Sequence, residues 1–155
     1  MCNQTAPVLR TLLVDDNSCF LKALTGMLLL EPRLAVIGYA LSGEEAVRRT
    51  LALNPDLVLM DISMPGLNGL DATRIIKAQP QSPRIIIVTL SNDELLATAA
   101  RYANADGFIS KTEVSTELLP LIWQICPHPE ETETRTEMLI TSPEFPGPAS
   151  AHVMP

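Results

Sequence analysis

Two rhythms of apolar residues alternate along this chain. Short unbroken apolar runs bounded by turn formers suit strands buried on both faces, and stretches with apolar residues three and four apart suit helices packed on one side. The first run, Val8 to Val14, ends in Asp15-Asp16. Asn17-Ser18 opens a helix with Phe20, Leu21, Leu24, Met27 and Leu28 on one face, stopped by Glu31-Pro32. Leu34 to Ala40 is the second run. Ser42, with Glu45 three residues on, predicts a capping box for a helix that carries Ala46, Val47, Leu51 and Leu53 and ends at Asn54-Pro55. Leu57 to Met60 is the third run. It ends on Asp61, and a loop set by the turn dipeptides Pro65-Gly66 and Asn68-Gly69 follows.

The alternation continues to about residue 126. A helix with Leu70, Ala72, Thr73, Ile75, Ile76 and Ala78 is stopped by Pro80, and Arg84 to Leu90 is the most strand-prone stretch in the chain. Ser91-Asn92-Asp93 caps a helix from Glu94 to about Ala103. Gly107 to Ser110 is a short fifth strand followed by Lys111, and a last helix spans about Ser115 to Ile125, where Pro120 predicts a kink. Five strict strand–helix units imply right-handed crossovers, one parallel sheet and helices on both faces.

Composition bounds the rest. At 155 residues the chain is one domain with some thirty residues to spare, and its hydrophobic content of 46% includes no run as long as a membrane span. Residues 1–7 have no apolar core of the kind a signal peptide needs and read as an N-terminal extension. A net charge of −7 with scattered basic residues argues against direct contact with nucleic acid. Cys2, Cys19 and Cys126 have neither disulfide-framework nor zinc spacing, so a reducing, cytoplasmic setting is expected. From Pro127 the chain has six prolines and five glutamates against one arginine. Residues 127–155 therefore read as a disordered acidic, proline-rich tail.

Four features fall at the carboxyl ends of predicted strands: Asp15-Asp16, Asp61, Thr89 and Lys111. Singly, each has an ordinary reading as a helix cap, a β-branched strand residue or a surface cation. Together, three converging carboxylates raise one another's pKa unless cations join them. Lys111 supplies one charge, and hard oxygen ligands suit Mg²⁺. A divalent metal, a hydroxyl, a lysine and a carboxylate nucleophile are what phosphoryl transfer needs.

Leu12 to Asp16, Asp61 to Pro65 and on to Gly69, Thr89, and Gly107 to Lys111 resemble the signature of two-component response-regulator receiver domains. The match spans about residues 8–126, and Asn54-Pro55-Asp56 and Gly69 to Ala72 are similar to the NarL/FixJ subfamily. The resemblance implies a flavodoxin-like, doubly wound (βα)5 fold. It makes Asp61 the phospho-acceptor for a histidine kinase or phosphotransfer protein, and Asp15, Asp16, Asp61 and the Ser63 backbone carbonyl the Mg²⁺ site. Thr89 would hydrogen-bond the phosphoryl group, Lys111 would ion-pair with it, and Phe108 would be the aromatic switch. The response would reach the face of the fourth helix, fifth strand and fifth helix, which could pair two copies as a homodimer.

Three departures stand out: Thr112 replaces a common proline, Leu90 replaces a common small residue beside Thr89, and no helix-turn-helix output domain follows. The last leaves a second reading, a receiver remnant of a DNA-binding transcription regulator truncated before its output domain. A phosphatase with an aspartate nucleophile is disfavoured because Ser63 stands where such enzymes need a second acid. Nucleotide binding lacks a glycine-rich loop after the first strand.

Overall fold

The computed structural model describes residues 7–127. The expectations for the first six residues and for the acidic tail beyond Pro127 lie outside them. Five strands, β1 (Leu9–Val14), β2 (Leu34–Ala40), β3 (Leu57–Met60), β4 (Arg84–Thr89) and β5 (Gly107–Ser110), form one parallel sheet in the order β2-β1-β3-β4-β5. Between and after them run α1 (Ser18–Leu28), α2 (Gly43–Leu53), α3 (Gly69–Lys77), α4 (Glu94–Tyr102) and α5 (Val114–Ile125). This is the doubly wound, flavodoxin-like α/β architecture. Its order reverses after β1, so β1 and β3 flank the point where open α/β sheets form a crevice at their carboxyl ends.

The apolar runs are strands because both their faces are covered. Leu12, Val14, Val58, Met60, Ile85 and Ile87 share one buried cluster with Ala46 of α2, Ala72 and Ile76 of α3, and Ala100 of α4. The alternate residues, Leu13, Leu59, Ile86 and Val88, are also buried and point to the opposite face. There α5 closes in, with Ile125 and Leu121 lying against Gly107. Each fully buried leucine or isoleucine stabilises the fold by roughly 1.5–3 kcal/mol through its transfer from water. The central strands β1 and β3 are thus the stiffest place from which to hold a side chain.

Local chemistry sets the helix boundaries. The Asn17 side chain accepts from the Cys19 and Phe20 amides, Ser42 from Glu45, Asn68 from Asp71, and Asp93 from Leu95. The capping box at α2 is only half made as expected: the Glu45 carboxylate reaches past Ser42 to the Leu41 amide at 3.0 Å. Asn54 ends α2 in the left-handed region, with φ 46°. A 3₁₀ turn over Lys111–Glu113 starts the last helix, whose α-helical part begins at Val114, one residue before the expected Ser115. Pro120 sits inside α5 and removes one backbone donor, yet the helix continues to Ile125 because Leu118 and Ile122 are fully buried around it. Leu90 falls just outside β4, with 74% of its surface exposed.

Candidate functional site at the carboxyl ends of the strands

The sheet's own hydrogen bonds deliver the acidic residues. The Asp15 amide donates to the Ala40 carbonyl at 3.1 Å, and the Asp61 amide donates to the Val14 carbonyl at 2.9 Å. Each bond carries the ladder one residue past the strand end, so these aspartates leave adjacent strands side by side. Both are buried, at 2% and 5% exposure, whereas Asp16 is exposed. Carboxylate oxygens of Asp15, Asp16 and Asp61 all lie within 4.8 Å of one another.

Lys111 enters from the end of β5. Its ammonium stands 2.5 Å from Asp15 Oδ2 and 3.7 Å from Asp61 Oδ2. On another side it lies over the Phe20 ring, 4.4 Å from the centroid, a cation–π contact between β5 and α1. Thr89 is buried at the end of β4, paired in register with Ser110, the residue before the lysine. Phe108 pairs with Ile87 and packs, partly buried, against the cluster beneath α2, α3 and α4. Ser63 is exposed in the loop after Asp61. That loop folds back so closely that any side chain at Gly69 would overlap the Asp61 carbonyl.

The electrostatics leave the site short of positive charge. Three carboxylates face one ammonium. Burial, and next the neighbouring Asp15 charge, push Asp61 up to about 6, against the pull of Lys111 and of the Ile62 amide. Asp15 Oδ1 accepts from the Asn17 amide at 2.8 Å, but the buried Oδ2 has no hydrogen bond of proper geometry, and the Lys111 ammonium alone offsets its charge. An oxygen-only donor set, an under-satisfied buried carboxylate oxygen and an excess of negative charge together fit a hard divalent cation held by Asp15, Asp16 and Asp61.

The structure therefore brings Asp15, Asp16, Asp61 and Lys111 together, and sets Thr89 at the neighbouring strand end. Phe108 lies three residues before Lys111 on β5, packed against the core cluster. Phe20 escaped the sequence reading, because an aromatic at helical spacing looks the same whether it fills the core or carries a cation. Asn17 was legible as a helix opener, but its amide's service to Asp15 was not.

Comparison with known proteins follows the same outline. The response regulator receiver domain profile matches residues 11–122. The nitrate/nitrite response regulator NarL of Escherichia coli strain K12 is 32% identical over 113 residues, 73% of this chain and 52% of NarL. The chain spans about half the length of the curated relatives it matches. Among solved structures, the response regulator domain of Thermotoga maritima CheB superposes with a TM-score of 0.72 at 33% identity, covering 79% of this chain and 99% of that one. The CheX–CheY–BeF3–Mg complex from Borrelia burgdorferi gives 0.73 at 26% identity, covering 81% and 95%.

Proposed function

Because this chain belongs to the response regulator receiver domain family, we propose that it is a phosphorylatable signalling switch with Asp61 as the acceptor. The observation that carries the reading is the juxtaposition of Asp61 with two further carboxylates, Asp15 buried and Asp16 exposed, and with Lys111, at the reversal point of the sheet. Asp15, Asp16 and Asp61, with the backbone carbonyl of Ser63, would hold Mg²⁺. When bound, that ion neutralises the carboxylates and the oxygens of the incoming phosphoryl group.

A carboxylate oxygen of Asp61 attacks phosphorus in line. The new O–P bond forms as the P–N bond of a phosphohistidine on a sensor kinase or phosphotransfer protein breaks, and the released imidazole carries off the electron pair. Lys111, already beside both buried aspartates, pairs with the phosphoryl oxygens. The Thr89 hydroxyl donates to a third oxygen, and Phe108 moves inward as Thr89 is drawn toward the group. The chain catalyses only its own phosphorylation and dephosphorylation, in the cytoplasm, and signals through protein contacts. The CheX–CheY likeness supports a protein partner. Among the described residues no helix is long and apolar enough to cross a membrane, and the acidic balance speaks against direct nucleic-acid contact.

The test is intact mass after incubation with acetyl phosphate and Mg²⁺. One added phosphoryl mass is expected in the wild type, and none in Asp61→Asn or after chelation. An unmodified wild type that also ignores beryllium fluoride would replace this reading with a scaffold that works without phosphorylation.

A further inference from the structure

The loop that leaves Asp61 is pinned in two places. At its base, the Gly69 and Met64 amides both donate to the Ile62 carbonyl, at 3.0 and 3.1 Å. At its far side it interlocks with the first turn of α2. The Leu67 amide donates to Glu44 Oε1 at 2.9 Å. The Leu67 carbonyl lies so close over Gly43 that no side chain fits there. Gly66, at φ +77°, runs against the Glu44 carboxylate, and a Cβ added there would stand 2.7 Å from Oε1. Two glycines and one carboxylate thus form a latch between segments 23 residues apart.

Resting on the phospho-acceptor reading above, we propose that Glu44 is a positioning residue of the site. Through Leu67 it fixes the loop that carries Ser63, and so fixes the direction in which the Ser63 carbonyl is offered to the cation. A backbone carbonyl has no rotamer of its own, so its aim is set entirely by the loop's φ and ψ, and a loop held only at its base would spread that aim. The latch suits the task because its bond is charge-assisted. The Leu67 amide is also the main influence holding the Glu44 carboxyl below its ordinary range. Glu44 touches neither the cation nor the phosphoryl group; it acts through Leu67.

The experiment compares wild type, Glu44→Gln and Glu44→Ala in the full chain by three readouts: hydrogen exchange at the Leu67 amide, Mg²⁺ affinity by titration, and phosphorylation by acetyl phosphate. Glu44→Ala is expected to speed Leu67 exchange and weaken Mg²⁺ about tenfold, with saturating Mg²⁺ restoring the phosphorylation rate. Glu44→Gln keeps an acceptor oxygen but loses the charge, and is expected to fall between wild type and Glu44→Ala in all three readouts. Unchanged Leu67 exchange in Glu44→Ala, or faster exchange with unchanged Mg²⁺ affinity, would overturn the proposal alone. A wild type that binds no Mg²⁺ would overturn the phospho-acceptor reading and this proposal with it, whatever Leu67 does.

Discussion

Asp61 is the residue at which stability and proposed function pull in opposite directions. Burial and the Asp15 charge raise it to about 6 from an ordinary value near 3.8, so the folded chain holds its proton where the unfolded chain has released it. The sign follows directly. The native state is favoured by this group below about pH 4, and the advantage is lost as pH rises through 6. Asp61→Asn removes the titration, and is expected to stabilise the metal-free protein by roughly 1–3 kcal/mol at pH 7.5 and by little at pH 4. Urea melts at the two pH values check this, and Mg²⁺ is expected to narrow the gap at pH 7.5 by stabilising the wild type. At Lys111 the same charges are held from two sides, by Asp15 and by the Phe20 ring. Phe20→Leu keeps the apolar volume but drops the ring face, worth about 0.5–1 kcal/mol at a partly exposed site. Phosphorylation by acetyl phosphate is expected to slow by about twofold to fivefold, with Mg²⁺ affinity held; an unchanged rate would mean that Asp15 alone orients the lysine.

Away from the site, the elements are tied by a second charged junction with no part in the chemistry. Asp106, in the turn before β5, accepts from Lys77 of α3 at 2.9 Å, from the Ile85 amide at 2.8 Å and from Arg84 at 3.0 Å. Its side chain and that of Lys77 are only 15% and 14% exposed. These bonds outweigh burial and hold the carboxyl below its ordinary range, so its contribution is present at neutral pH and lost as pH falls through the folded value. Asp106→Ala leaves the largely buried Lys77 ammonium with the Pro83 carbonyl but no counter-charge from Asp106, and is expected to cost about 2–4 kcal/mol at pH 7, less near pH 3, as read from chemical melts. No sequence pattern announced this junction, because an Asp before a Gly reads as an ordinary turn. The elements themselves were legible for a reason that can be named. Leu57 to Met60 and Ile85 to Val88 are apolar without alternation, and only a strand covered on both faces gives that signature in so short a run. Lys111 and Thr89 were legible as site residues only because the strand ends collect them. The Glu44 latch and the Phe20 ring were not, since each joins segments whose sequences carry no mark of the other.

At the scale of the molecule, the open question is how a change around Asp61 reaches a partner. The proposed link is Phe108. It packs toward the cluster beneath α4 on one side, and on the other it lines a groove of about 590 Å³ with Ile109 of β5, Pro120 and Leu121 of α5, and the polar Glu113, Glu117 and Gln124. On the neighbouring α4, Leu95 and Tyr102 are 77% and 80% exposed, and Leu90 lies before that helix with 74% of its surface free. Exposed apolar side chains of this kind are costly to leave in water, and a two-fold pairing of two copies would cover them. Were Phe108 drawn inward, part of the groove's wall would empty and the face would change shape, which would make pairing depend on the acceptor's state. The expectation is that beryllium fluoride with Mg²⁺ shifts the chain from monomer to dimer in sedimentation velocity, and that Leu95→Asp blocks the dimer without weakening the fluoride's binding. A chain that binds beryllium fluoride yet stays monomeric at concentrations on the order of 100 μM, where any micromolar complex would form, would assign the same face to a different protein.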